Sequence, residues 1–90
     1  MNISTPEKDD RIEDVTFAET TISFFLRDGR IVTAPLSWYP QLFTANDNQR
    51  RHWRLCGAGY AVHWPYFDED IGIAGVLAGV AAPNGFVVQE

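Results

Sequence analysis

With a single cysteine, Cys56, the chain cannot close a disulfide within itself, and a small secreted scaffold stapled by such bridges is excluded. Basic residues are scarce: 7 Lys and Arg stand against 12 Asp and Glu, a formal net charge of −5. That balance disfavours direct nucleic-acid binding and adhesion to anionic membranes. No apolar run is long. Ile71 to Pro83 is the most extended, and it falls well short of the ~20 residues that span a bilayer. Met1 to Asp10 lacks the apolar core of a secretory leader, so the expected location is the cytoplasm. Ser4, Ser23 and Ser37 are the only serines, and none lies in a nucleophile elbow.

What the chain does have is aromatic and apolar content, 13% and 46% of its 90 residues. That suits one folded domain with one core. Residues 1–10 are polar and read as a flexible N-terminal arm, leaving 11–90 as the domain. Val15 and Phe17 alternate with polar neighbours as in a half-buried strand, and Ala18-Glu19-Thr20 is a turn. The run from Thr21 to Arg27 is rich in β-formers and places Ile22, Phe24 and Leu26 on one face. Asp28-Gly29 then signals a two-residue type I′ hairpin. Its register would set Arg27 opposite Arg30, Leu26 opposite Ile31, Phe25 opposite Val32 and Phe24 opposite Thr33. Ile31 would thus join the core face, while Phe25 and Val32 would lie on the other.

Pro35 ends the third strand. Ser37 reads as an N-cap, with Trp38, Tyr39 and Pro40 in a first helical turn and Leu42 and Phe43 completing it. Thr44 to Asp47 resembles a capping box opening a second helix through His52. Trp53–Cys56 and Tyr60–Trp64 read as strands joined by the Gly57-Ala58-Gly59 turn. Tyr66 to Asp70 reads as a loop, Ile71–Ile73 as extended or the start of a helix, and Ala74–Val80 as a helix of small residues. Asn84-Gly85 marks a turn, after which Phe86-Val87-Val88 reads as an edge strand. The expected class is α+β: an N-terminal three-stranded antiparallel meander, two short helices, a second hairpin and a C-terminal helix.

Several pieces in this order resemble the bacterial domain-of-unknown-function family 2442. They are Asp28-Gly29-Arg30, Pro35-Leu36-Ser37-Trp38-Tyr39-Pro40, Asn48-Gln49-Arg50-Arg51-His52-Trp53, Gly57-Ala58-Gly59 and His63-Trp64-Pro65-Tyr66-Phe67-Asp68-Glu69-Asp70-Ile71. The likeness covers roughly residues 12–79. It implies a small α+β fold with an N-terminal meander, and an antitoxin-like role as the partner of a small toxin. It carries no catalytic residues. Some members of the family bear a helix-turn-helix domain, for which these 90 residues leave no room.

No catalytic or cofactor motif emerges. His52 and Cys56 would share a helix face only if one helix held both, and Cys56 reads as a buried small hydrophobe. His63 with Asp68, Glu69 and Asp70 matches neither zinc nor calcium spacing. Gly57-Ala58-Gly59 lacks the last glycine of a dinucleotide fingerprint. No cofactor and no metal are therefore expected, and the chain reads as non-catalytic. Candidate partner-binding residues are Tyr66, Asp68, Glu69 and Asp70 in the loop, with Trp53, Arg50, Arg51 and Arg54 as a basic cluster beside them. The loop has two readings. In the structural one, Trp64 and Phe67 plug the core while Asp68 and Asp70 cap the next segment or pair with Arg50, Arg51 or Arg54. In the functional one, Tyr66 and Glu69 face outward and, with the nearby arginines, contact a partner protein. Two functions follow. One is a protein-interaction module whose partner is a small toxin or a regulated protein. The other is an acidic phage-type inhibitor that mimics nucleic acid and binds a nucleoprotein complex. The acids, clustered at 7–14 and 68–70, permit the second.

Overall fold

In the computed structural model, which describes residues 7–79, six strands form two separate antiparallel sheets. The first sheet is a meander of β1 (Ile12–Phe17), β2 (Thr21–Leu26) and β3 (Ile31–Pro35). A 3-10 turn at Leu36–Trp38 and two short helices follow, α1 (Pro40–Phe43) and α2 (Asp47–Arg51). The second sheet is also a meander: β4 (Arg54–Cys56), β5 (Ala61–Trp64) and β6 (Glu69–Gly72). Helix α3 (Ile73–Ala78) ends on Gly79, whose φ of +84° makes the left-handed cap that glycine supplies without strain. The expected α+β class and N-terminal meander are present. The edge strand expected at Phe86–Val88 lies outside the described residues.

One core joins both sheets. Ile12, Val15, Ile22, Phe24, Leu26 and Ala34 of the first meet Val62, Trp64 and Ile71 of the second, with Leu36, Tyr39, Leu42, Ile73 and Val76 closing the sides. Ile22, Phe24 and Leu26 share the inward face as their alternation requires. Ile12 and Val15 both face inward despite their odd spacing. The pairing of β1 with β2 shifts between Ile12 and Asp14, and this bulge resets the phase.

The first hairpin corrects the expected register. Phe25 pairs with Ile31, Phe24 with Val32 and Ser23 with Thr33, one residue out of the type I′ alignment. The loop is Arg27-Asp28-Gly29. Gly29 N–H donates to Leu26 C=O (3.0 Å) and Leu26 N–H to Arg30 C=O (2.9 Å). Within this loop only Gly29, at φ +98°, takes a positive φ, which is the pattern of a type I turn followed by a bulge. A slip of one residue exchanges the faces. Ile31 is therefore 57% exposed rather than in the core, and Val32 packs against the core instead of lying on the outer face. The cause is Asp28, whose Oδ1 accepts from the Arg30 N–H (3.1 Å) and whose carboxylate also binds the Arg30 guanidinium. Asp28 Oδ2 further accepts from the Asp9 N–H (3.0 Å), and Asp10 pairs with Arg30, which ties residues 9 and 10 to the hairpin tip.

Two helix starts are also corrected. Ser37 lies inside the 3-10 turn and caps nothing, while Pro40 opens α1, where its missing N–H has no role. Asn46, not Thr44, caps α2. Its Oδ1 accepts from Gln49 N–H (2.8 Å), and Gln49 Oε1 accepts from Asn46 N–H (3.1 Å). Thr44 instead turns its hydroxyl back to the Pro40 carbonyl (3.2 Å).

Candidate functional site

The expected loop at Tyr66–Asp70 is largely a hairpin, because Glu69 and Asp70 begin β6 and pair with Trp64 and His63. The connection is only Pro65 to Asp68. Phe67 N–H donates to Trp64 C=O (3.1 Å), and Asp68 sits at φ +54°, a left-handed position that Asp tolerates better than most residues. Strand alternation then sorts the candidates onto opposite faces. Glu69 lies on the core side, only 6% exposed, and so does not face outward; Asp70 lies on the outer side. Burial, then the nearby charge of Asp70, raises the Glu69 carboxyl above its ordinary pKa. Its own charge adds to the burial that pushes the Tyr39 phenol up to about 12. Among the described residues, the buried Tyr39 hydroxyl has no hydrogen-bond partner.

Trp64 is wholly buried and Phe67 packs on the same core, as expected. The Trp64 ring meets Phe17 edge-on, with centroids 6.4 Å apart. Asp70 pairs with His63, whose Nδ1 lies 2.5 Å from the carboxylate, rather than with an arginine. A carboxylate only accepts, so Nδ1 carries the proton of this bond. Arg54 is directly across from His63, so that Arg54, His63 and Asp70 form one row across the three strands. Helix α3 has no side-chain cap, so neither Asp68 nor Asp70 caps it.

The basic cluster divides as well. Arg50 is structural: Nε donates to Leu42 C=O (3.0 Å), Nη2 donates to Phe43 C=O (3.0 Å), and the guanidinium lies 5.1 Å from the Phe17 ring centre. It closes the end of α1, a role no pairing with acids would reveal. Trp53 is half-buried against the core. Arg51 and Arg54 are exposed and make no ion pair among the described residues.

What comes together at the surface is a smaller group. Tyr66, 55% exposed, stands edge-on to His52 with ring centres 5.6 Å apart. The His52 ring is itself held by Nδ1, which donates to Asn48 C=O (2.7 Å). Sequence reasoning missed His52 here, since it considered that residue only as a partner for Cys56. The two lie on different elements: His52 follows α2, and Cys56 sits in β4 opposite Ala61. A groove of about 240 Å³ lies between β1 and α2, lined by Val15, Thr16, Phe17, Asp47, Arg50 and Arg51. Among the described residues no three His, Cys, Asp or Glu side chains converge as metal ligands. No helix among them is long and apolar enough to cross a membrane.

The comparisons with known proteins agree on fold. The family described as "protein of unknown function (DUF2442)" matches residues 12–82. A crystal structure of a protein of unknown function from Rhodospirillum rubrum superposes with a TM-score of 0.70 at 23% identity, covering 83% of this chain and 93% of the other. A solution structure of an uncharacterised protein from Chromobacterium violaceum superposes with a TM-score of 0.65 at 22% identity, covering 77% of this chain and 65% of the other. No curated protein matches the sequence.

Proposed function

The chain belongs to the DUF2442 family of proteins of unknown function, and from that premise we propose that it is a non-catalytic, cytoplasmic protein-interaction module that holds a partner as an antitoxin holds its toxin. The observation that carries this reading is Tyr66. It is a large aromatic side chain that is more than half exposed yet held in place by His52 and by the tight Pro65–Asp68 turn. An aromatic residue already fixed in solvent loses little freedom on binding, which is why Tyr is frequent among binding hot spots. Arg51, next in sequence to His52, adds an exposed cation without an acidic partner among the described residues. On the outer face of the second sheet, His63 and Asp70 are engaged with each other.

The placement of the acids weighs against a nucleic-acid mimic. Such a mimic needs carboxylates displayed in an unneutralised array. Here Asp9, Asp10 and Asp28 are bound by Arg11 and Arg30.

Affinity capture with the full chain from nuclease-treated lysate tests the proposal. One small protein should be retained, and Tyr66→Ala should weaken its capture by about tenfold or more while leaving the fold intact. Equal capture by Tyr66→Ala would remove this surface from the function. Loss of the partner on nuclease treatment, or its release by competitor DNA, would favour the mimic.

A further inference from the structure

The two edges of the first sheet are built differently. β1 carries the standard protections of an exposed edge: a bulge, the acids Glu13 and Asp14, and a donor covered by its own neighbour, since Val15 N–H is bound by Asp14 Oδ1 (2.8 Å). β3 has almost none. From Ile31 to Pro35 it carries no charge, its pairing with β2 beyond the turn is unbroken, and Ile31 is 57% exposed. Only Pro35, at its last position, blunts it.

The pairing phase fixes which backbone groups β3 turns outward. Leu26 N–H donates to Arg30 C=O, so Arg30, Val32 and Ala34 spend their groups on β2. Ile31 and Thr33 point away from it, with no backbone partner among the described residues. Pro35 has no N–H. Among two-fold antiparallel alignments of β3 with itself, the one centred on Val32 pairs both the N–H and the C=O of Ile31 and of Thr33. Ile31 of each copy then exchanges both backbone bonds with Thr33 of the other. A shift of the centre to Thr33 would set Ile31 against Pro35, leaving a carbonyl without a donor.

We infer that β3 is an interface between two copies of this chain, joined antiparallel about Val32 into one continuous six-stranded sheet. Charge supports a second copy as the occupant. At a formal −5, two molecules repel over most approaches. The Ile31–Leu36 edge presents no charge to its symmetry mate, and the adjoining tip is internally neutralised by the Asp28–Arg30 and Asp10–Arg30 pairs. The exposed Ile31 side chain would be covered by the partner's Thr33 and its neighbours on the outer face. This interface is independent of the Tyr66 surface, and either can fail without the other.

Sedimentation of the full chain over a concentration series tests the inference. A reversible dimer is expected. Ile31→Lys places a charge on the edge and should raise the dimer dissociation constant by about tenfold or more. Thr33→Pro removes one outward donor without touching the β2 ladder and should do the same. Circular dichroism at low concentration should show both variants folded. A wild-type chain that stays monomeric at every concentration would overturn the inference. So would a dimer that survives both substitutions in folded protein.

Discussion

The indole N–H of Trp64 donates to the main-chain carbonyl of Arg50 at 3.0 Å. This bond fastens the largest core side chain, from the second sheet, to the last turn of α2. The Arg50 side chain meanwhile reaches back to the end of α1 and lies against Phe17 of the first sheet. One residue thus links four elements.

Removing that link should be costly. Arg50→Ala leaves the Leu42 and Phe43 carbonyls without their charged donor and uncovers Phe17. A loss on the order of 1.5–3 kcal/mol is expected, the range for hydrogen bonds to charged groups. Arg50→Lys should recover little of it, because an ammonium cannot fork to two carbonyls while lying flat on a ring. Chemical denaturation of the two variants checks both statements.

At the hairpin tip, Gly29→Val should cost roughly 1–3 kcal/mol through backbone strain alone. A Cβ there would meet nothing within 4 Å, so the cost lies in the positive φ. Gly29→Asn should be far milder, since Asn enters the left-handed region readily. Equal midpoints of denaturation for wild type and Gly29→Val would refute the turn geometry.

Two carboxylates oppose each other in pH dependence. Arg30 and the Asp9 N–H hold Asp28 well below its ordinary 3.8, so its contribution is present above that value and is lost as pH falls through the depressed folded value. Glu69 is shifted the other way, above an ordinary 4.5, by burial and Asp70. Its contribution is complete below 4.5 and declines as pH rises through the raised folded value. Glu69→Gln should therefore flatten the fall in stability that begins above pH 4.5, and Asp28→Asn the fall that begins below 3.8. Thermal melts across pH read both, and a fall above pH 4.5 unchanged in Glu69→Gln would contradict the burial of Glu69.

Asp68 separates conformation from charge in the Pro65–Asp68 turn. Asp68→Gly keeps the left-handed backbone and should leave stability near wild type, whereas Asp68→Val should lose roughly 1–3 kcal/mol. If Asp68→Gly also retains partner capture, the carboxylate is not part of the binding surface.

Much of the architecture was legible because it rests on periodicity. The alternation of Ile22, Phe24 and Leu26, the turn residues at 28–29 and 57–59, and the prolines at 35 and 65 mark the strands and their ends. What was not legible turns on single side-chain bonds. Asp28-Gly29 is compatible with two loop lengths, and the choice depends on the Asp28 carboxylate binding Arg30 and Asp9, a contact nineteen residues distant in sequence. β6 was hidden because its inward position carries Glu69, where an apolar residue would have shown the alternation. Asn46 was passed over for Thr44 because both precede a plausible helix start, and only the Gln49 side chain decides between them. The candidate site suffered from the same effect: charge alone could not tell that Arg50 serves carbonyls while Arg51 is left to solvent.

The core shared by the two meanders has a further consequence. Each sheet has only three strands and turns its apolar face toward the other, so neither half holds a hydrophobic interior of its own. The most protected amides of β2 and of β5 should then exchange with deuterium through one common opening, with the same free energy on both sides of the molecule. A peptide ending after β3 would collapse without ordering. The minimal heritable unit of this fold is accordingly the whole double meander, and recombination within it would yield no stable fragment.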